Sequence, residues 1–184
     1  MEFFLQKFDK TIGEKPNPPY FLHKQAKRQI LIDHYQLWEN DWILLEQIEQ
    51  NHGKDSDFFS ASYSDKWLFL AFSQEKIWVD IEQVRPRASS LLDKRSEELK
   101  LLWEESWENF YRLWTAKESL LKASDTENLD QIWNIQLVKE KNTSEQSFQV
   151  HFDKILFLEL NNQQYEVRSF CHEDLIGAVC IIPH

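Results

Sequence analysis

The chain has 184 residues, 42% hydrophobic and 28% charged, with a formal net charge of −10. That composition specifies a folded chain with its own core, and the acidic balance argues against a general nucleic-acid binder, which needs a basic surface. With three glycines a glycine-rich phosphate loop is excluded, and no apolar run approaches the ~20 residues of a membrane span.

The opening "MEFFLQKFDK" carries an acid at position 2 and an apolar run too short for a secretory signal. After the stop signal "NPP", the segment from Phe21 to Trp38 has helical spacing in Leu22, Ala26, Ile30 and Tyr35, with Lys24, Lys27 and Arg28 on the neighbouring face. A second helix is predicted over 42–50, and "NHGKDSD" reads as a loop. "DFFSASYSDKWLFLAFSQEKIWVDIE" reads as three strands joined by the turns "YSDK" and "SQEK". "VRPRASS" is a linker, and a charged helix from Ser90 to Trp107 leads into "YRLWTAKESLLKA", residues 111–123. Strands are expected at 132–139, 148–152, 155–160, 164–170 and 175–182. With few glycines, tight turns must use Asn, Asp or Pro. A faint echo between "FFSASYSDKWLFLAFS" and "YEVRSFCHEDLIGAVCI" suggests two related α+β halves, which favours a monomer. Cys171 and Cys180 form no disulfide framework and suit a reducing cytoplasm, with Cys180 in "AVCII" reading as a buried small hydrophobe. The six histidines show no metal-ligand spacing, against a zinc site.

Two stretches carry chemistry. In "KIWVDIEQV" strand alternation turns Ile77, Val79 and Ile81 toward a core and Trp78, Asp80 and Glu82 to the other face. Two carboxylates on one strand face, about 7 Å apart at the backbone, repel unless a cation sits between them. A solvated edge tolerates this cheaply; a hard divalent cation such as Mg²⁺, which takes one or two carboxylates and completes its shell with water and phosphate oxygens, uses it. In the later helix Glu118 lies between Lys117 and Lys122, and the Glu118–Lys122 spacing by itself fits an exposed helical ion pair. Trp114 reads as core packing.

Together, "WVDIE" and, about three dozen residues on, "WTAKESLLK" resemble the signature of the 4′-phosphopantetheinyl transferase superfamily, a G-[IV]-D-x-E strand followed by a [FW]-[ST]-x-K-E-[AS]-x-x-K helix. Trp114, Thr115, Lys117, Glu118, Ser119 and Lys122 match every fixed position of the second element. "FFSASYSDKWLFLAF" resembles the family's F-[NS]-x-S-H-S-x-x-W strand pair. "LHKQAKRQILI" and "SFCHEDLIGAVCIIPH" are similar to the N-terminal helix and closing hairpin of the surfactin-synthetase-activating type, with a shortened N-terminus. The departures are Trp78 for the strand glycine, Tyr63 for the family histidine, which contacts a phosphate of coenzyme A, and the glycine-free stretch "KASDTENLDQI". A tyrosine can donate a hydrogen bond but carries no positive charge at neutral pH.

The resemblance implies an α+β fold of two pseudo-symmetric halves, each an antiparallel sheet packed on a long helix, in one domain over 1–184. The halves would divide near 85/86, with the 109–124 helix packed on the first and the site in the cleft between them. It implies transfer of the phosphopantetheine arm of coenzyme A to a serine of an acyl or peptidyl carrier protein, with Mg²⁺, or Mn²⁺ in its place. By the same resemblance the metal ligands are Asp80, Glu82 and Glu118; Glu118 is also the base, and Lys122 supports catalysis. The coenzyme A contacts are Arg28, Lys54 (from "GKD", similar to the family's G-K-P), Ser62, Tyr63, Lys117 and Lys122. Arg85, Arg87, Lys94 and Arg95 form a candidate basic patch for steering an acidic carrier protein. The alternative is a family member that binds coenzyme A or a carrier protein without turnover.

Overall fold

Alternating apolar residues build two antiparallel sheets that stack face to face. The computed structural model describes residues 1–8, 19–38, 41–124, 129–147 and 149–182. The elements run β1 (Glu2–Lys7), α1 (Pro19–His34), α2 (Trp42–Asn51), β2 (Gly53–Lys54), β3 (Asp57–Ser64), β4 (Trp67–Ser73), β5 (Lys76–Gln83), α3 (Ser90–Asp93), α4 (Ser96–Lys100), α5 (Trp107–Ala123), a 3₁₀ turn (Leu129–Asn134), β6 (Gln136–Gln146), β7 (His151–Leu160), β8 (Gln163–His172) and β9 (Leu175–Ile182). The four-stranded sheet has the order β1-β4-β3-β2 and the five-stranded sheet β5-β9-β8-β7-β6.

Three apolar clusters define four layers. Phe59, Leu70 and Phe72 on one face of the first sheet pack under Leu31 of α1 and Leu45 and Ile48 of α2. The opposite face, with Phe3, Trp67, Phe69 and Ala71, meets Ile77, Val79, Ile81, Phe170 and Val179 of the second sheet. The outer face of that sheet, with Leu158, Val167, Ile176, Ala178 and Cys180, lies under α5 through Phe110, Leu113, Ala116, Leu120 and Leu121. Gly177 belongs to this arrangement because a Cβ there would stand 2.2 Å from the ring of Phe170. The turns use the residues the low glycine count requires. Asn161 (φ 54°) and Asn162 (φ 63°) close the β7–β8 hairpin in the left-handed region, and Asp65 (φ 48°) helps to close β3–β4.

Helix α5 starts where Ser106 accepts a hydrogen bond from the Asn109 N–H at 3.2 Å. It is anchored by Arg112, 1% exposed, whose guanidinium donates to both Asp153 oxygens of β7 at 2.7 and 2.9 Å and to Ser169 of β8 at 3.0 Å. Fork-to-fork pairing of this kind fixes orientation as well as distance.

Several expectations need correction. The helix carrying Glu118 packs on the five-stranded sheet, not on the first half, because β5 leaves the first sheet and pairs with β9 from Lys76↔Ile182 to Gln83↔Leu175. The strand with Asp80 therefore belongs to the second sheet, and a division at 85/86 cuts between its members. The helix expected over 90–107 is broken into α3 and α4, with Trp103 at φ 80°, before α5 begins. The strand expected from 132 begins only at Gln136, and the pieces expected at 148–152 and 155–160 are one strand, β7, with a register shift between Phe152 and Lys154. Strand β1 was not anticipated. The "NPP" stop signal is described only at Pro19, and residues 125–128 of the glycine-free stretch lie outside the described residues.

Candidate active site at the β5–α5 junction

Strand β5 carries Asp80 and Glu82 on the face turned toward α5. One helical turn brings Glu118 and Lys122 to the same side of α5. Lys122 Nζ donates to Asp80 Oδ1 at 2.6 Å. Ser62 of β3 donates to the same oxygen at 3.1 Å, and Ser64 donates to Glu82 Oε2 at 2.8 Å. Asp80 is 3% exposed.

The electrostatics are unbalanced. Burial, the Asp80 charge and a hydrogen bond to Asp80, with a further push from Glu82, raise the Glu118 carboxyl to about 8, although Lys122 opposes the shift. Asp80 Oδ2 is buried without a partner among the described residues while both acids are charged. Two ionised carboxylates cannot hydrogen-bond each other, so a protonated Glu118, a bound water or a cation would satisfy that oxygen. Three carboxylates beside one ammonium make this a cation-seeking site.

The donor set suits a hard divalent ion. Among the described residues no group of three or more His, Cys, Asp or Glu side chains could hold a metal ion by itself, so a closed protein cage is absent there. Asp80, Glu82 and Glu118 therefore do not close on one point as a three-carboxylate group; an ion that takes one or two of them and fills its shell with water and phosphate oxygens still fits the site.

The structure brings together Asp80, Glu82, Glu118, Lys122 and Ser62. It does not bring Lys117 to this group. That ammonium is 3% exposed and donates to Glu98 at 2.7 and 2.9 Å; burial lowers its pKa, with Glu98 acting against the shift. Arg28 faces α2, bonding Glu49 at 2.9 and 3.2 Å. Lys54 is exposed on β2. Tyr63 lies on the α1 side of β3, 52% exposed, with its ring 5.3 Å from that of His23, because strand alternation sends it away from Ser62 and Ser64. Trp114 stacks against Phe110 at 6.3 Å, as core packing requires. In the candidate basic patch, Arg85 pairs with Asp65 at 3.1 Å and Arg95 lies 4.0 Å from the Trp133 ring centroid. Sequence reasoning missed Glu98, which nothing local links to Lys117. It also missed Ser60 and Ser64, although "SASYS" places serines at alternate positions before the acidic strand.

A family model described as the 4′-phosphopantetheinyl transferase superfamily matches residues 77–180, more than half of the chain and the whole span from Asp80 to Lys122. The chain belongs to that superfamily. Curated relatives include the 4′-phosphopantetheinyl transferase Sfp of Bacillus subtilis (strain 168), 29% identical over 107 residues, covering 52% of this chain and 46% of the relative. The 4′-phosphopantetheinyl transferase ffp of Bacillus subtilis is 30% identical over 107 residues, with the same 52% and 46% covered. The 4′-phosphopantetheinyl transferase gsp of Aneurinibacillus migulanus is 31% identical over 71 residues, 35% of this chain and 30% of the relative. The chain thus matches less than half the length of these curated relatives, and Asp80, Glu82 and Glu118 fall inside residues 77–180.

Proposed function

We propose that this protein transfers the 4′-phosphopantetheine arm of coenzyme A to a serine hydroxyl of an acyl or peptidyl carrier protein in a Mg²⁺-dependent reaction. The observation that carries this reading is the meeting of Asp80, Glu118 and Lys122 at one junction in a chain of this superfamily. In the proposed reaction the serine oxygen bonds to the phosphorus that bears pantetheine, the pyrophosphate P–O bond breaks, and adenosine 3′,5′-bisphosphate leaves with the electron pair. When bound, Mg²⁺, held by Asp80, Glu82 and Glu118, would neutralise charge on the pyrophosphate oxygens. Glu118, half-buried on α5, is the group assigned to take the serine proton, directly or through a water. Lys122 holds the Asp80 carboxylate in place and is 44% exposed at its side chain, so its ammonium can also face a substrate phosphate. Ser62 fixes the other side of the same Asp80 oxygen.

Lys117 takes a structural part in this reading. Arg28, Lys54 and Tyr63 stand as proposed contacts for the distal, nucleotide end of coenzyme A. Among the described residues no helix is long and apolar enough to cross a membrane; a cytoplasmic location and a monomeric state are part of the proposal. Binding of coenzyme A or a carrier protein without turnover is the competing reading, favoured by Tyr63 standing at the family histidine's position.

The test is intact-mass analysis of apo carrier proteins incubated with coenzyme A, Mg²⁺ and this protein. The expected result is a gain of one phosphopantetheine per carrier serine, abolished by Asp80→Ala with circular dichroism unchanged. Retention of coenzyme A on the protein with no mass gain on any carrier would favour the competing reading. Wild-type transfer by Asp80→Ala at saturating substrate would remove the metal role.

A further inference from the structure

Strand β3 carries serines at 60, 62 and 64 on the face turned to the second sheet. There β3 does not join β5 by a backbone ladder, since β5 pairs only with β9 among the described strands. Each serine hydroxyl instead accepts one β5 N–H: Ser60 from Val79 at 3.1 Å, Ser62 from Ile81 at 3.3 Å and Ser64 from Gln83 at 3.1 Å. A hydroxyl has one proton to donate. Ser62 directs it to Asp80 and Ser64 to Glu82. Ser60 has no acid opposite, because Trp78 occupies that place on β5.

The two acids differ in how they are held. Asp80 is short and buried, and Lys122 clamps it independently of Ser62. Glu82 has an extra rotatable bond and is only half-buried. Ser64 is the one hydrogen-bond partner of its carboxylate among the described residues, and no ion pair of Glu82 is found among them. Without Ser64, Glu82 is free to swing into solvent, away from Asp80 and Glu118.

We propose that Ser64 is a positioning residue: by accepting the Gln83 N–H and donating to Glu82, it holds the Glu82 carboxylate ready for the cation. Ser64 touches neither cation nor substrate and acts through Glu82. The inference rests on the cation site assigned above, and it is tested so that the two can fail separately. Loss of a hydrogen bond that orients a metal ligand lowers metal affinity by about 10–100-fold.

Mn²⁺ serves as the probe, titrated into the full chain with and without coenzyme A, with free ion read by electron paramagnetic resonance. Ser64→Ala is expected to raise the half-saturating Mn²⁺ concentration about tenfold. Ser60→Ala, which loses the same kind of backbone bond but no carboxylate contact, is expected to leave it unchanged. Ser64→Thr keeps the hydroxyl and is expected to restore most of the affinity. Thermal melts of the Ser60→Ala and Ser64→Ala proteins should shift alike, since each loses one junction bond. If Mn²⁺ binds the wild type but Ser64→Ala weakens it no more than Ser60→Ala, or if Ser64→Thr is as weak as Ser64→Ala, the serines only join the sheets and the inference is overturned. If the wild type takes up no Mn²⁺ under either condition, the cation site itself is wrong and the inference goes with it.

Discussion

Lys117 and Lys122 answer to the same motif, five positions apart on α5, yet their surroundings give them different work. Lys117 is buried against Glu98, whose Oε1 also accepts the Leu137 N–H at 3.1 Å. Its ammonium therefore ties α5 to α4 and to the start of β6, and removing it strands a carboxylate in a partly dry place. Lys122 is half exposed and is the cation bonded to Asp80. Breaking one partner of a buried pair costs ~3 kcal/mol or more, whereas removing a charge aimed at developing phosphate charge costs a rate factor of ~100 or more. Lys117→Met should accordingly lower the urea unfolding free energy by ~2–3 kcal/mol, toned down because Glu98 keeps Arg95 and a backbone N–H. Its folded fraction should still transfer at close to the wild-type rate. Lys122→Met also leaves the buried Asp80 carboxylate without its ammonium, so it too should lose some stability, but its folded fraction should lose transfer by ~100-fold. Urea curves and initial rates on the two proteins check this, and the reverse pattern would move the phosphate-facing role to Lys117.

At the scale of elements, α1 and α2 cover the first sheet through Leu31, Leu45 and Ile48, and Glu49 ties the helices together. It accepts from Lys27 at 2.7 Å and Arg28 at 2.9 Å. Burial alone would push this carboxyl up, but the hydrogen bonds and charges of Lys27 and Arg28 outweigh burial and hold it below its ordinary 4.5. A carboxyl depressed in the folded state stabilises above its unfolded pKa, and that contribution is lost as pH falls through the folded value. The stability difference between wild type and Glu49→Gln should thus be constant near neutrality and shrink as pH drops below 4.5. For a partly exposed pair it should stay within ~1 kcal/mol. Urea unfolding of both proteins at several acid pH values measures it; a difference independent of pH down to the acid transition would mean that the pair is not coupled to folding. Which elements were legible follows the same logic of local against distant forces. Strands β3 and β5 announce themselves by alternation, β4 by a continuous apolar run between polar turns, and α5 by its apolar stripe. The short "FFL" run of β1 has too little alternation to be read, and it becomes a strand only because β4 offers a partner from Glu2↔Phe72 to Lys7↔Trp67. The break at Trp103 is invisible because the charged stretch before it has good helix formers, and the chain turns there to let α5 reach the sheet.

Across the whole molecule the sequence order and the spatial order diverge at β5. That strand follows β4 after two residues but pairs with β9, so one sheet closes over most of the chain length. The acids could be picked out as a set because motif spacing is local and specific. Ser64, which bonds Glu82, and Glu98, which bonds Lys117, could not, because each contact joins elements that only the finished fold brings together. The same crossing has an energetic consequence. The apolar layer between the sheets draws Phe69 and Ala71 from β4, and Phe170 and Val179 from β8 and β9. Neither inner face is covered without the other, so the two sheets should unfold as one cooperative unit. Phe69 is fully buried, with ring centroids 5.9 Å from Phe3 and 5.0 Å from Phe170. Phe69→Ala should cost ~3–5 kcal/mol. Native-state hydrogen exchange locates that loss. The Leu70 amide lies in β4 between two partner strands, and the Val179 amide lies in β9 between two others. Both should open only with the whole molecule, so their opening free energies should fall by the same amount in Phe69→Ala. If the Leu70 amide lost protection while Val179 kept its own, the first sheet would be opening by itself, and the shared layer would not couple the site's β5 strand to the sheet that holds Ser62 and Ser64.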